Sequence, residues 1–139
     1  MELKRRADRA GVSIIKTRVV NSDAINELKN SADRLLLDVP CSGLGVLRRN
    51  PDAKWKLSLE FIEQIKITQQ EIISTYSQML KPGGIMVYAT CSILPSENQY
   101  QVQEFLKKAG SDFKLLDEVK VLPSMGFDGF YMAALEKIG

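Results

Sequence analysis

The sequence predicts an α/β protein in which parallel strands alternate with helices and an antiparallel hairpin closes the sheet. Three observations carry this. Two short apolar runs, 34–39 and 85–91, have the length and composition of strands buried on both faces of a parallel sheet. The segment between them, over about 59–80, places Ile62, Ile65, Ile72, Tyr76 and Met79 at helical spacing, broken by Gln69. Two further strand-like runs, 113–122 and 127–135, are joined by Pro123-Ser124-Met125-Gly126 in the pattern of a hairpin.

In chain order, residues 2–10 read as a helix ending at Gly11, a good left-handed cap. Residues 12–20 carry the β-branched Ile14, Ile15, Val19 and Val20 and predict a strand. Asn21-Ser22-Asp23 supplies a turn and an N-cap for a short helix over about 24–30. The 34–39 strand delivers Asp38 to its carboxyl end, where open α/β sheets place ligand chemistry. A long connection, 46–57, follows with Arg48, Arg49 and Trp55; a loop this long in a compact domain is usually functional. Ser58 caps the 59–80 helix, and Lys81-Pro82-Gly83-Gly84 stops it and turns the chain into the 85–91 strand. Ser96-Glu97-Asn98-Gln99 after Pro95 reads as a capping box. It opens a helix with Val102, Phe105 and Leu106 inward, ending at Gly110. The strand–helix–strand unit over 34–91 is expected to be right-handed and to bring Cys41 and Cys91 to one cleft.

The totals narrow the chemistry. The chain has 139 residues, the size of one ordinary domain, and is 45% hydrophobic, enough for a core. A balance of 19 basic to 17 acidic residues does not by itself point to nucleic acid. The basic residues Lys4-Arg5-Arg6, Arg48-Arg49, Lys54 and Lys56 nevertheless gather in the first 56 positions. No apolar run approaches the roughly 20 residues of a membrane span, and no signal-peptide core follows the first residues. The expectation is a cytoplasmic, reducing setting with no membrane partner. The absence of histidine excludes Ser-His-Asp and Cys-His catalysis and removes the commonest metal ligand. Two cysteines without histidine make a poor zinc site, so no metal is expected. Acid–base work falls to carboxylates, thiols or the substrate itself. A lone cysteine is most often a small buried hydrophobe. Two at matching strand ends, each followed by serine, point instead to shared chemistry, with a redox pair as one alternative.

Asp38-Val39-Pro40-Cys41-Ser42-Gly43 resembles the Asp-Ala-Pro-Cys-Ser-Gly motif of the Nop/Sun (bacterial Fmu/Sun-type) family of RNA cytosine-5 methyltransferases, with Val39 the one change. Thr90-Cys91-Ser92 matches that family's Thr-Cys-Ser motif. The match continues from Gly43 to Trp55, through Pro95-Ser96-Glu97-Asn98 and Asp128-Gly129-Phe130-Tyr131, and covers nearly the whole chain in order. The resemblance implies a class I methyltransferase (Rossmann-like) fold, S-adenosylmethionine as methyl donor, and RNA, ribosomal in the bacterial members, as substrate. It implies Cys91 as the nucleophile that adds to carbon 6 of cytosine, with Cys41 helping product release. Asp38 would lie between cofactor and base, Pro40 beside the base, and Asn21 (Asp23 aligns less well) near the adenine. Arg48, Arg49 and Lys54 would follow the RNA path, with Trp55 either stacking on RNA or packed in the core.

The family's glycine-rich cofactor loop after its first strand does not occur in this sequence, and no Gly-x-Gly precedes residue 43. The expectation is the carboxyl-terminal part of a longer catalytic domain, residues 1–139, lacking the first two strands and with an incomplete cofactor site. Alone it would be weak or inactive; the alternative is a non-catalytic RNA-binding or structural remnant. The missing first strand would bare an edge of the 34–39 strand. Strand 12–20 is expected to move in beside it, or two chains to pair there.

Overall fold

The computed structural model describes residues 2–139; Met1 and the side chain of Lys56 lie outside the described residues. The chain runs α1 (Glu2–Arg9), α2 (Ser22–Glu27), β1 (Ala32–Asp38), α3 (Ala53–Lys56), α4 (Leu59–Tyr76), β2 (Leu80–Thr90), α5 (Gln99–Ala109), β3 (Phe113–Val121) and β4 (Phe130–Lys137). The strands form one sheet in the order β1-β2-β4-β3. β1 and β2 are parallel, and β4 runs antiparallel to both of its neighbours. The parallel pair and the closing hairpin are therefore as the sequence predicts.

Alternation along the strands builds the core. Met86, Tyr88 and Thr90 of β2 and Tyr131, Ala133 and Leu135 of β4 are all buried, one residue in two, as the pleat requires. All but Thr90 join Leu37, Val39, Ile73, Leu80, Val102 and Phe105 in one cluster. The small Ala133 sits opposite Tyr88 in the register, and the rings of Tyr88 and Tyr131 meet edge to face at 6.4 Å. The Tyr88 hydroxyl donates to the Glu97 carbonyl at 2.7 Å. Burial lifts its pKa far above the usual phenol range, so it remains a donor. Ser58 caps α4 as expected, accepting from Phe61 N–H at 3.1 Å. No helix of the described residues is long and apolar enough to cross a membrane.

Several expectations are corrected. Residues 12–20 form no strand and do not pair with β1, whose outer edge is unpaired among the described residues. β-branched residues favour a strand only where a pleated surface lets them pack. Here Ile14 is 88% and Val19 85% exposed, so the segment gains no burial from pairing. It is held instead by Val12 N–H on the Ala7 carbonyl at 2.9 Å and by an Arg18–Glu27 ion pair. The second helix begins earlier than expected, because Asn21 itself is the cap. Nor is the triple-leucine strand buried on both faces: Leu37 is inside, but Leu36 is 68% exposed. Lys81-Pro82-Gly83-Gly84 lies within the span of β2, where the register jumps from Ala32↔Leu80 to Arg34↔Ile85. Gly83 takes φ 75° there, which a residue with a side chain resists. Finally, β4 starts at Phe130 rather than 127, because Asp128 and Gly129 leave the sheet to close on the loop after β1.

Candidate active site

Cys41 lies three residues beyond β1, and Cys91 directly follows β2. Parallel pairing of the two strands sets their ends side by side, and the sulfurs come to 3.3 Å. Both cysteines are half-buried and free. The two thiols expected to come together at the strand ends are therefore side by side.

Beneath the thiols lies a buried polar network. Glu97 is 0% exposed. Its Oε1 accepts from Ser42 N–H at 2.8 Å and from Gln69 Nε2 at 3.2 Å. Its Oε2 accepts from the Ser42 hydroxyl at 2.5 Å and from the Ser92 hydroxyl. Gln69 Nε2 also donates to the Pro40 carbonyl at 2.9 Å. Asn98 accepts from the Thr90 hydroxyl at 2.6 Å and donates to the Ser92 carbonyl at 2.9 Å. The capping-box reading of Ser96-Glu97-Asn98-Gln99 is thus wrong. Asn98 precedes α5 but makes no side-chain cap, because both it and Glu97 are turned inward onto the cysteine-bearing loops. These residues were missed as site residues. Gln69 had left a signal, a polar side chain interrupting an apolar helix face.

Three loops meet beside the thiols. Gly45 N–H donates to the Cys91 carbonyl at 2.9 Å, and Gly129 N–H donates to the Gly45 carbonyl at 2.7 Å. Arg49 Nε pairs with Asp128 at 2.6 Å; the Arg49 side chain is 79% exposed and that of Asp128 only 10%.

The other predicted site residues divide. Asp38 and Pro40 are exposed at the carboxyl end of β1, with Asp38 level with Ala89, two residues before Cys91. Asn21 is engaged elsewhere: its Oδ1 accepts from Ala24 N–H at 2.8 Å as the cap of α2. Arg48 and Lys54 are exposed, and Lys54 Nζ lies 4.8 Å from the centre of the Trp55 ring. Trp55 is 80% exposed, so it is not a core residue. Arg5 and Arg6 pair with Glu2 on the surface of α1.

The model of the 16S rRNA methyltransferase RsmB/F family matches residues 2–136. The chain belongs to the RsmB/F family. Ribosomal RNA small subunit methyltransferase B of Vibrio cholerae is 45% identical over 112 residues, covering 76% of this chain and 26% of that protein. Its counterpart in Shewanella oneidensis is 40% identical over 138 residues, covering 88% of this chain and 32% of that protein. The RsmB/F chain thus spans about a quarter to a third of the length of these relatives. Among solved structures, NSun6 from Pyrococcus horikoshii with SFG superposes with a TM-score of 0.85 at 26% identity, covering 99% of this chain and 38% of that one. The Nop/Sun resemblance and the Rossmann-like methyltransferase fold are both borne out.

Within this RsmB/F site the two thiols are not equivalent. Burial, and then the contact with Cys91, push the Cys41 thiol up to about 12. Its proton is held through the neutral range, and either sulfur can be the donor in the sulfur–sulfur contact. At pH 9, iodoacetamide is expected to alkylate Cys41 at about a tenth or less of the rate of an unhindered thiol. A normal alkylation profile would contradict the assignment. Because the folded pKa lies above the unfolded 9.0, the stability from this proton is complete below about 9 and lost as pH rises towards about 12.

Proposed function

We propose that this chain forms the base-facing half of a site that methylates carbon 5 of cytosine in RNA, specifically ribosomal RNA, through a covalent adduct on Cys91. The observation that carries the reading is the 3.3 Å approach of Cys41 and Cys91 at the ends of two adjacent parallel strands. Carbon 5 of cytosine is too weak a nucleophile to take a methyl group directly. A thiolate adding to carbon 6 forms an S–C6 bond and leaves an enamine whose carbon 5 can attack. After methylation, a base takes the carbon 5 proton, the freed electron pair reforms the C5–C6 double bond, and the S–C6 bond breaks with its pair returning to the Cys91 sulfur.

The roles are those the family resemblance implies, and the sulfur–sulfur contact is compatible with them. A Cys41 thiol turned to donate to the Cys91 sulfur would stabilise negative charge on Cys91 as the nucleophile. The same S–H can protonate the Cys91 sulfur as it leaves, which gives Cys41 its part in product release. Asp38, exposed at the end of β1, supplies a carboxylate to hydrogen-bond the cytosine ring, and Pro40 shapes the turn beside it. The target base must leave its stack to reach the thiols. Arg48 and Lys54 offer exposed cations to phosphates, and the Trp55 ring offers a face to an unstacked base. Arg49 serves chiefly to tether the Asp128 loop, since its charge is already paired.

The family is one of S-adenosylmethionine-dependent enzymes, and the SFG in the NSun6 structure is an analogue of that cofactor. When bound, S-adenosylmethionine supplies an electrophilic methyl group. The exposed Asp38 and Pro40 fit a place on its methyl side. Asn21, whose Oδ1 caps α2, has only its amide N–H to offer the adenine.

The test is RNA containing 5-azacytidine, whose ring nitrogen at position 5 carries no proton to lose and so traps the adduct. Peptide mapping by mass spectrometry is expected to find the nucleotide on Cys91. An adduct on Cys41, or none, would overturn the proposal.

A further inference from the structure

We infer that Glu97 is a positioning residue whose carboxylate sets the spacing of the two reactive thiols without touching either. The inference rests on the reading that both cysteines act in one site. Each cysteine is followed by a serine, and the hydroxyls of Ser42 and Ser92 converge on the same oxygen of Glu97. The second oxygen takes Ser42 N–H and Gln69 Nε2, and that same Gln69 nitrogen holds the Pro40 carbonyl. One buried carboxylate therefore grips both motif loops, although they lie 50 residues apart in sequence.

Burying a carboxylate is costly unless its lone pairs are met. Here all four donors come from the two cysteine loops and α4, and no lysine or arginine is among them. Any change in loop separation breaks hydrogen bonds to a carboxylate that is 0% exposed. The carboxylate is thus a stiff spring on the thiol–thiol distance. Glu97 is itself fixed, because the Tyr88 hydroxyl bonds its carbonyl and the neighbouring Asn98 ties Thr90 to the Ser92 carbonyl. Reacting groups lose much of their advantage when displaced by about 1 Å, so a supporting shell of this kind bears directly on rate.

The spacing can be read without RNA or methyl donor, by equilibrating the chain with glutathione. Oxidised glutathione takes two electrons and the two thiol protons from Cys41 and Cys91, giving the protein disulfide and two reduced glutathiones. The equilibrium constant measures the effective concentration of one thiol at the other. Glu97→Gln is expected to lower it about tenfold, making the disulfide ~30 mV easier to reduce. The melting temperature is measured alongside. A folded Glu97→Gln variant with an unchanged constant would overturn the inference, as would failure of the parent chain to form the Cys41–Cys91 disulfide. Should Glu97→Gln not fold, Ser92→Ala releases one loop only and is expected to lower the constant about threefold. No change in that variant would likewise overturn it. Because this measurement uses neither RNA nor cofactor, its result is independent of whether the azacytidine adduct forms.

Discussion

In a longer chain that holds the methyl donor, Cys91→Ala is expected to lower methyl transfer to RNA by about 10⁴-fold or more while leaving the melting temperature nearly unchanged. The thiol is the only group proposed to form a covalent bond to the base, so its loss leaves binding and positioning alone. Cys91 is half-exposed at the end of β2 and its backbone ties are made through the carbonyl, which alanine keeps. Cys41→Ala is expected to behave differently. Adduct formation should persist and release should fail, so the RNA-linked protein accumulates on a denaturing gel. If Cys91→Ala retained more than about a hundredth of the parent rate, the nucleophile would have been misassigned.

Gly45→Ala is expected to destabilise the fold by about 3 kcal/mol or more, a fall of about 10 °C in melting temperature for a chain this size. A Cβ at this position would lie 2.1 Å from the Gly129 carbonyl oxygen and 2.7 Å from the Cys91 carbonyl oxygen. Both are backbone atoms held by the bonds that Gly45 makes to the same two loops, so neither can yield cheaply. Two hydrogen bonds, each worth about 1 kcal/mol, are strained along with the packing. The glutathione equilibrium should also shift, because Cys91 moves with its carbonyl. A melting temperature within about 2 °C of the parent would sink this account of the crossing.

How far the sequence revealed this depends on what each residue answers to. The strand carrying Asp38 and the one ending at Cys91 were legible because local pattern and local outcome agree. Their convergence followed from one rule, that parallel neighbours end on the same side. Residues 12–20 were misread because β-branching reports a preference that only a packing surface can realise. Leu36 was misread because a both-faces strand needs a layer on each face, and none covers Leu36 among the described residues. Glu97 and Asn98 were misread most instructively. A serine followed by Glu-Asn fits a helix cap by local chemistry, yet the donors that claimed both side chains belong to Ser42, Gln69, Thr90 and Ser92. Two of those four, Ser42 and Gln69, lie 55 and 28 residues before Glu97, and no local window contains them. Trp55 could not be placed for a similar reason: a large aromatic at the end of a loop suits a core and a binding face equally.

The strand order has a consequence for synthesis. β4 lies between β2 and β3, so β3 leaves the ribosome with no neighbour in the sheet and β2 with one side open. The sheet closes only when residues 130–137 emerge and insert between them. Gly129, which locks the loop beside Cys91, arrives in the same step. The thiols can approach as soon as β1 and β2 pair, but their surroundings are unfinished until the insertion. A nascent chain stalled before residue 130 would present two adjacent cysteines in a half-built cleft, open to stray oxidation and to pairing with another strand.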